Sequence, residues 1–544
     1  MAAPRRQQSE ALALALSHNI TIRVVDNSIL RGQEKSYLVR IYSLDLFHSK
    51  ETLVHRPAQN GTPEKRIFSA IALNGSSRLI RIITQIGMIT AMGMLLPTQD
   101  LAVSLFFLLI IEIGTTLTTK TFTQSLMNKC DKFDQYESSA FYLNFSLSVI
   151  ASIVTFLLSY FYLNNSTEID HIFGSLFSVM AISIGPIISS MTIIPQARFS
   201  ASVNFGPIAL SESISVFTSS IFAIIFAFFF HSYEAIIVYL IFQRIFEFCI
   251  LSFFCYPLPR SLPDRVTAVE HLRFSAPLIA TFLITSAVVT ADQFFVSLFF
   301  GADVFALYAF ARRLTDQPVR ILMHALERSM IPTLVSIKSN IDQYKKFCLH
   351  AFFLCSLISG SFFLPFIAGS KPFVDFLFPE NLHDSYKFIS IFSAQSAFIP
   401  IGSLLFSILV SFGRTKWIFF FTFTRLFVAF SIILILALSL SLNSVQFAIT
   451  VAFMNVAMLI PNFALANRDL NIPTTKVLKA ILRGHVPGLI GLSVCLATPL
   501  FVHGSSYFLF LVQIVLTISS VIISTLLIAK DEISSIKISR WRKK

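Results

Sequence analysis

Between residues 77 and 529 the chain is a train of apolar runs, each about 20 residues long and parted by short polar connections. No other feature constrains the fold as hard. A run of that length matches the hydrocarbon thickness of a bilayer, and a helix satisfies its own backbone there. Fourteen spans are expected: 77–96, 101–122, 139–162, 172–194, 206–230, 234–257, 274–299, 304–334, 347–369, 386–411, 416–440, 444–466, 482–502 and 506–529. Composition agrees. Of the 544 residues 55% are hydrophobic and only 13% charged, against about 25% charged in an ordinary soluble domain. The 59 Phe suit a lipid-facing surface.

The charges order these spans. Alternate connections, with the C-terminal tail, carry 22 basic residues, among them Lys120, Lys129, Arg198, Arg260, Lys345, Arg414, Lys476 and Lys537. The opposite connections carry only Lys371 and Lys387. By the positive-inside rule the basic set faces the cytoplasm, and an even number of spans puts both termini there. The net charge of +13 therefore reads as an orientation signal and not as a nucleic-acid surface. Residues 1–66 read as a polar cytoplasmic tail without a cleavable signal; the alternation in NITIRVVD and SYLVRIYSL hints at short strands.

An internal repeat is expected as well. Spans one and two form a hairpin with a short outer turn and end in the basic connection around Lys129. Spans seven and eight do the same and end around Lys345. The order is parallel, which gives two six-helix bundles over 67–258 and 259–467. Two additional helices over 468–530 and a basic tail over 531–544 follow. The expected fold is all-α and polytopic, with a central cavity between the halves, the common build of secondary transporters.

Ionisable residues at membrane depth mark the candidate sites, because they are costly unless they face a cavity or a partner. Span eight carries most of them: Arg312, Arg313, Asp316, Arg320, Glu327 and Arg328. With Arg312 at 0°, Asp316 falls at about 40°, Glu327 at about 60° and Arg320 at about 80°, so one face collects them. Arg312 lies about 9 residues from the outer end, roughly 14 Å deep. Guanidinium forks suit phosphate oxygens, so this face is a cationic site for a phosphate-bearing substrate or an Arg–Asp lock between helices. Arg320 and Arg328 are cavity or interface charges. Pro318 offers a kink.

The remaining candidates are scattered. Asp292 in span seven is an ion-pair partner for Arg312 or Arg313, or a protonatable coupling group. Glu112 and Glu212 are single carboxylates in apolar helices. Either takes up a proton near neutral pH or stays a neutral hydrogen-bonded acid. Arg244 and Glu247, three apart, read as a structural pair. Arg425 is deep and unpaired in sequence, a second cavity candidate. Arg78 and Arg81 open span one and either snorkel or line the inner mouth. Asn455 reads as a helix–helix hydrogen bond. The six Cys lie scattered and without CxxC or His partners, as small buried residues do. There is no Walker A, HExxH or nucleophile-elbow pattern, so neither an ATP-driven pump nor a metalloenzyme is indicated, and no cofactor or metal is expected. No outer connection is long enough for a membrane glycosyltransferase or polymerase.

The run FSAPLIATFLITSAVVTADQFFVSLFFGADVFALYAFARRLTDQPVRILMHALERSMIPTL resembles the seventh and eighth helices of Wzx-type polysaccharide flippases. These belong to the multidrug/oligosaccharidyl-lipid/polysaccharide exporter superfamily. The residues that carry the resemblance are Asp292, Gly301, Tyr308–Ala309, Arg312–Arg313 and Pro332. IITQIGMITAMGMLLPTQDLAVSLFFLLIIEIGTTL matches the first hairpin more loosely, and IIPQARFSASVNF, with Pro195 and Arg198, fits the connection from span four to span five. The resemblance implies alternating access between two bundles in a bacterial inner membrane. It also implies a polyprenyl-pyrophosphate-linked oligosaccharide as cargo, membrane lipid around it, and polymerase and glycosyltransferases of the same pathway as partners. A multidrug exporter and a peptidoglycan-precursor flippase are the neighbouring readings.

Overall fold

The computed structural model describes residues 63–540, except 129–132, 166–173, 203, 260, 339, 413, 415–416, 418–419, 429–430, 432–442 and 502–505. The chain separates into a unit over residues 1–68 and one over 69–544. All but the last six residues of the first, including the two segments read as strands, lie outside the described residues.

The described residues form helices and turns. The first half contains α1 (Pro63–Leu95), α2 (Thr98–Asn128) and α3 (Phe133–Asn165). A broken fourth span follows, made of α4 (Ser175–Ser183), α5 (Gly185–Ser190) and α6 (Ile193–Ala201), then α7 (Gly206–Phe230) and α8 (Glu234–Phe254). The second half contains α9 (Arg265–Phe299), α10 (Gly301–Ser336), α11 (Ile341–Leu377), α12 (Ser385–Ser396) and α13 (Ile399–Ser411). A helical stretch over 420–428, α14 (Ser444–Ala457) and α15 (Leu459–Leu470) complete it. Last come α16 (Thr474–Phe501) and α17 (Ser506–Arg540), which continues ten residues into the expected basic tail.

Eleven helices among the described residues are long and apolar enough to cross a membrane. Each of the three other expected spans is missing from that set for a definite reason. In span one only Ile80–Leu95 is apolar. Span eleven lies mostly outside the described residues. Span eight is the 36-residue α10, whose charges remove it from any hydropathy criterion although it is among the longest helices present.

Proline and glycine set the irregularities. The fourth span breaks at Ile184, where Pro186 stands in the first turn of α5 and offers no N–H. The tenth breaks in the same way at Phe398, ahead of Pro400. The turn between α9 and α10 is a single residue, Phe300, and Gly301 starts α10 at φ +83°, a conformation that glycine adopts freely. α10 then continues through Pro318 to Ser336.

Two of the helices that are buried on all sides over a stretch position the site. They are α2 over 101–111 and α10 over 305–312 apart from Leu307. A helix buried all round is central by geometry. The largest apolar core surrounds both, and it joins the halves near the end that carries the short turns. There Phe106 stacks on Tyr162 and meets Phe294 and Phe305 edge-on. Leu382 lies against Gly93, and Asn381 donates to Thr98 at 3.3 Å.

Toward the basic end the cores are separate, one around Phe122 and Ile194 and one around Tyr344 and Leu404. Here the start of α9 meets α2 and α3 through small polar groups. Ser125 lies 2.6 Å from His271, Tyr136 donates to Glu270 at 2.8 Å, and Ser139 pairs with Thr267 at 2.6 Å. The contact between the halves is therefore mainly apolar at one end and mainly polar at the other.

Candidate functional site

The fully buried stretches of α2 and α10 both give way at charged residues: Glu112 directly after 101–111, and Arg312 and Arg313 at the end of 305–312. The two helices pack together, so a cavity of about 130 Å³ opens where both runs give way. α2 contributes Leu109, Glu112 and Ile113 to it, and α10 contributes Arg312, Arg313, Asp316 and Arg320. α9 closes the third side with Thr285, Ser286, Thr290 and Gln293. Sequence reasoning passed over these α9 groups. Their signal was the helical spacing of 285–289–293 and 286–290–293, which puts them on one face, one residue from Asp292.

Glu112 bridges the halves. Its Oε1 accepts from Arg320 Nη1 at 2.7 Å, and its Oε2 lies 3.6 Å from Arg313 Nη2. The carboxylate read as isolated is therefore clasped by two guanidinium groups of the other half. The side chains of Arg320 and Glu112 are 37% and 45% exposed. Ion pairs that wet contribute about 0–1 kcal/mol, so this clasp is easily exchanged.

Arg312 stands in the opposite condition. It lies 3.3 Å from Asp292, 3.6 Å from Asp316, donates to Gln395 at 3.4 Å and sits over the Phe392 ring at 4.8 Å. Asp292 also accepts from Tyr308 at 2.8 Å. The Arg312 and Asp292 side chains are 8% and 5% exposed. Removing one partner of such a buried pair costs about 3–5 kcal/mol, because the other charge is left alone. Of the described basic residues on α10, Arg313 and Arg320 are thus the ones whose ion-pair partner, Glu112, is half exposed and belongs to the other half. Four charged groups of α10 and one of α2 line the cavity, three guanidinium groups against two carboxylates. Withdrawing Glu112 with its half of the chain leaves three cations against Asp316 alone.

The other candidates lie elsewhere. Arg81 donates to Glu212 at 3.1 Å, so Glu212 is ion-paired and is not the lone acid that its sequence context suggested. Nearby in the first half, Arg244 and Gln196 both donate to Glu247, at 3.1 and 3.0 Å, and Gln85 donates to Tyr239 at 3.2 Å. The expected Arg244–Glu247 pair is present. Arg425 does not line the cavity; it donates to Asn455 Oδ1 at 2.6 Å behind Arg312. The side chains of Arg78, Glu327 and Arg328 lie outside the described residues. No group of three or more potential metal ligands occurs among the described residues.

Solved structures that share this fold include a lipid flippase and multidrug transporters. The lipid II flippase MurJ in an inward closed conformation superposes with a TM-score of 0.65 at 15% identity, covering 86% of this chain and all of that one. An inward-facing multidrug resistance MATE family transporter of the MOP superfamily gives 0.58 at 13% identity, over 74% of this chain and 98% of its own. A MOP superfamily transporter from Pyrococcus furiosus, described as having a binding pocket of reverse polarity, gives 0.50 at 15% identity, over 74% and 95%. No curated protein matches the sequence. Residues 92–387, more than half the chain and including α2, α9 and α10, match the family described as polysaccharide biosynthesis protein. The chain belongs to that family, and it carries its cationic cavity on a fold shared with MOP superfamily transporters.

Proposed function

We propose that the protein is a flippase for a polyprenyl-diphosphate-linked oligosaccharide, working by alternating access in a bacterial inner membrane with both termini in the cytoplasm. The observation that carries this reading is the Glu112 clasp. An acid of one half occupies guanidinium forks of the other, in a cavity where cations outnumber carboxylates. A diphosphate is the chemical class that competes with a carboxylate for such forks, and it offers more oxygens to them.

In this mechanism the halves part at the basic, cytoplasmic end, Glu112 retreats on α2, and the diphosphate takes its place on Arg313 and Arg320. The hydroxyl and amide groups of α9 face the first sugar. The lipid tail stays in the bilayer. At about 130 Å³ the present cavity is below the roughly 300–1,000 Å³ typical of small-molecule sites, so the sugar chain needs the parted state. Closure at the cytoplasmic end and opening of the apolar core at the turn end would release cargo outside. Glu112 then re-engages the arginines and neutralises the empty site, which prevents a bare cationic cavity from forming between cycles. Two sets of group counts argue against a cationic drug as cargo: the excess of guanidinium groups on the wall, and the want of an unpaired carboxylate among those lining it.

Glu112→Gln tests the clasp. It keeps the shape and removes the competing charge. Polyprenyl diphosphate binding to the purified protein in nanodiscs is expected to tighten by about two- to fivefold, the value of an exposed ion pair. Translocation is expected to slow, because the empty site loses its internal anion. Weaker binding in this variant would contradict the proposed competition.

A further inference from the structure

Arg312 lines the cavity but is held back from it by Asp292, Asp316 and Gln395. Two features of the surrounding cluster are not accounted for by that hold. The first is Asp292 Oδ1, buried without a hydrogen-bond partner, while Oδ2 serves both Tyr308 and Arg312. An acceptor left empty at this depth is costly, and such groups call for a reason. The second is Arg425. Among the described residues no carboxylate pairs with it, and its hydrogen bond goes to a neutral amide, Asn455 Oδ1, at 2.6 Å. A guanidinium in the interior of a second-half bundle is normally matched by an acid.

The two features belong to one chain of contacts. Asn455 Nδ2 donates to Gln395 Oε1 at 3.5 Å, and the same oxygen accepts from Arg312 Nη1 at 3.4 Å. Arg425 lies within electrostatic range of both Arg312 and Asp292. The cluster therefore holds two guanidinium groups, and both of its carboxylates are engaged by only one of them. The remaining guanidinium and the remaining carboxylate oxygen are a matched donor and acceptor that are not yet joined.

We propose that Arg425 is a reserve counter-charge: when Arg312 turns into the cavity to take an anionic group of the cargo, Arg425 leaves Asn455 and docks on Asp292. This rests on the anionic-cargo reading above and deepens it. Withdrawing Arg312 from a buried pair would otherwise strand Asp292 as an unpaired charge, which is the expensive outcome for buried pairs. The handover keeps Asp292 paired in both states and leaves the charge of the cluster unchanged except for the arginine delivered to the cargo. Asn455 and Gln395 hold the resting positions, the first for Arg425 and the second for Arg312. Arg425 is in this sense a positioning residue. It acts on the cargo through Arg312, and its own side chain stays out of the cavity.

The test is polyprenyl diphosphate binding to the full-length protein in nanodiscs, with Tm and monodispersity recorded for each variant. Arg425→Gln is expected to weaken binding at least about tenfold, since Arg312 can then leave only by stranding Asp292. Arg425→Lys keeps the reserve charge and is expected to stay within about threefold of the parent. Asp292→Asn/Arg425→Gln removes the stranded charge together with its replacement, and binding returns to within about threefold of the parent. A merely structural role for Arg425 would make that double variant as weak as Arg425→Gln or weaker. Arg425→Gln binding like the parent, or a double variant no better than Arg425→Gln, overturns the handover. If Arg425→Gln fails to fold, the double variant decides: restored binding supports the proposal and weak binding overturns it. Should the parent not bind polyprenyl diphosphate, or should Arg313→Ala/Arg320→Ala bind it as the parent does, the site reading itself falls and this inference with it. A parent that binds and an Arg313→Ala/Arg320→Ala variant that does not, beside an unaffected Arg425→Gln, leaves the site standing and removes the handover alone.

Discussion

Replacing Arg313 and Arg320 together by alanine is expected to abolish transport while the protein still folds and reaches the membrane. Arg320 is 37% and Arg313 12% exposed, and among the described residues both ion-pair with Glu112, itself 45% exposed, so their loss leaves a half-exposed carboxylate behind. The folding cost is accordingly small. The functional cost is large. A hydrogen bond to a charged group contributes about 1.5–3 kcal/mol, so two of them amount to roughly 3–6 kcal/mol, or about a hundredfold to ten-thousandfold in cargo affinity. In cells, surface polysaccharide is expected to disappear and lipid-linked oligosaccharide to accumulate on the cytoplasmic side, with protein levels normal. Arg313→Lys/Arg320→Lys is expected to recover part of the activity, because charge is kept and the bidentate fork is lost. Arg312→Ala is expected to behave differently: it removes the guanidinium that holds Asp292 and Asp316, leaves Asp292 dependent on Arg425 alone, and lowers thermal stability as well as transport.

The second large effect is on folding. α16 approaches α11 closely at three glycines. A Cβ at Gly488 would overlap the carbonyl oxygen of Gly360, and one at Gly484 would stand 2.6 Å from that of Phe353. A Cβ at Gly491 would stand 2.6 Å from Val521 of α17 and 2.8 Å from Pro365. The first two obstacles are backbone, which cannot rotate away. Close backbone approach of this kind is how helices associate in lipid, where burial of apolar surface supplies no drive. Gly488→Ala is therefore expected to lower Tm by several degrees, in line with an overpacking cost of about 1–3 kcal/mol. Gly488→Leu is expected to leave little monodisperse protein in size-exclusion chromatography, since α16 and α17 can no longer seat on α11. Gly87→Ala serves as the control. Nothing lies within 4 Å of its added Cβ, and its Tm is expected to hold or rise. A Gly488→Leu protein as stable as the parent would contradict the seam.

Much of this fold was legible in the apolar runs and basic connections, because bilayer thickness and charge bias act on residue type alone. α10 shows where that logic stops. The helix expected from 304 to 334 is present, yet hydropathy by itself would reject it, and the mixture of charge and apolar residues is what identifies it as the wall of a cavity. The face of Arg312, Asp316 and Arg320 followed from helical arithmetic. What arithmetic could not supply were partners distant in sequence. Glu112 and Arg320 are 208 residues apart, Arg81 and Glu212 are 131 apart, and Arg312 meets Gln395 across 83. Each of those contacts depends on which faces of two helices meet, and that is set by packing. The consequence for the site is specific. The sequence puts Arg312, Arg313 and Arg320 on the candidate wall together, whereas packing pairs Arg312 with Asp292 and Asp316 and sets Arg313 and Arg320 on Glu112. Arg425 moved from the cavity wall to a position behind it for the same reason.

The most direct test of the account is translocation in proteoliposomes that contain the full-length protein and one of three fluorescent probes. These are a polyprenyl-diphosphate-linked disaccharide, the matching uncharged polyprenyl glycoside, and a lipophilic cation. The diphosphate lipid is expected to cross at a rate well above protein-free vesicles, and Arg313→Ala/Arg320→Ala is expected to bring that rate down to the protein-free level. The uncharged and cationic probes are expected to stay at the protein-free level throughout. Transport of the cation, or transport of the diphosphate lipid that is indifferent to loss of both arginines, would contradict the assignment of this cavity to an anionic lipid-linked cargo.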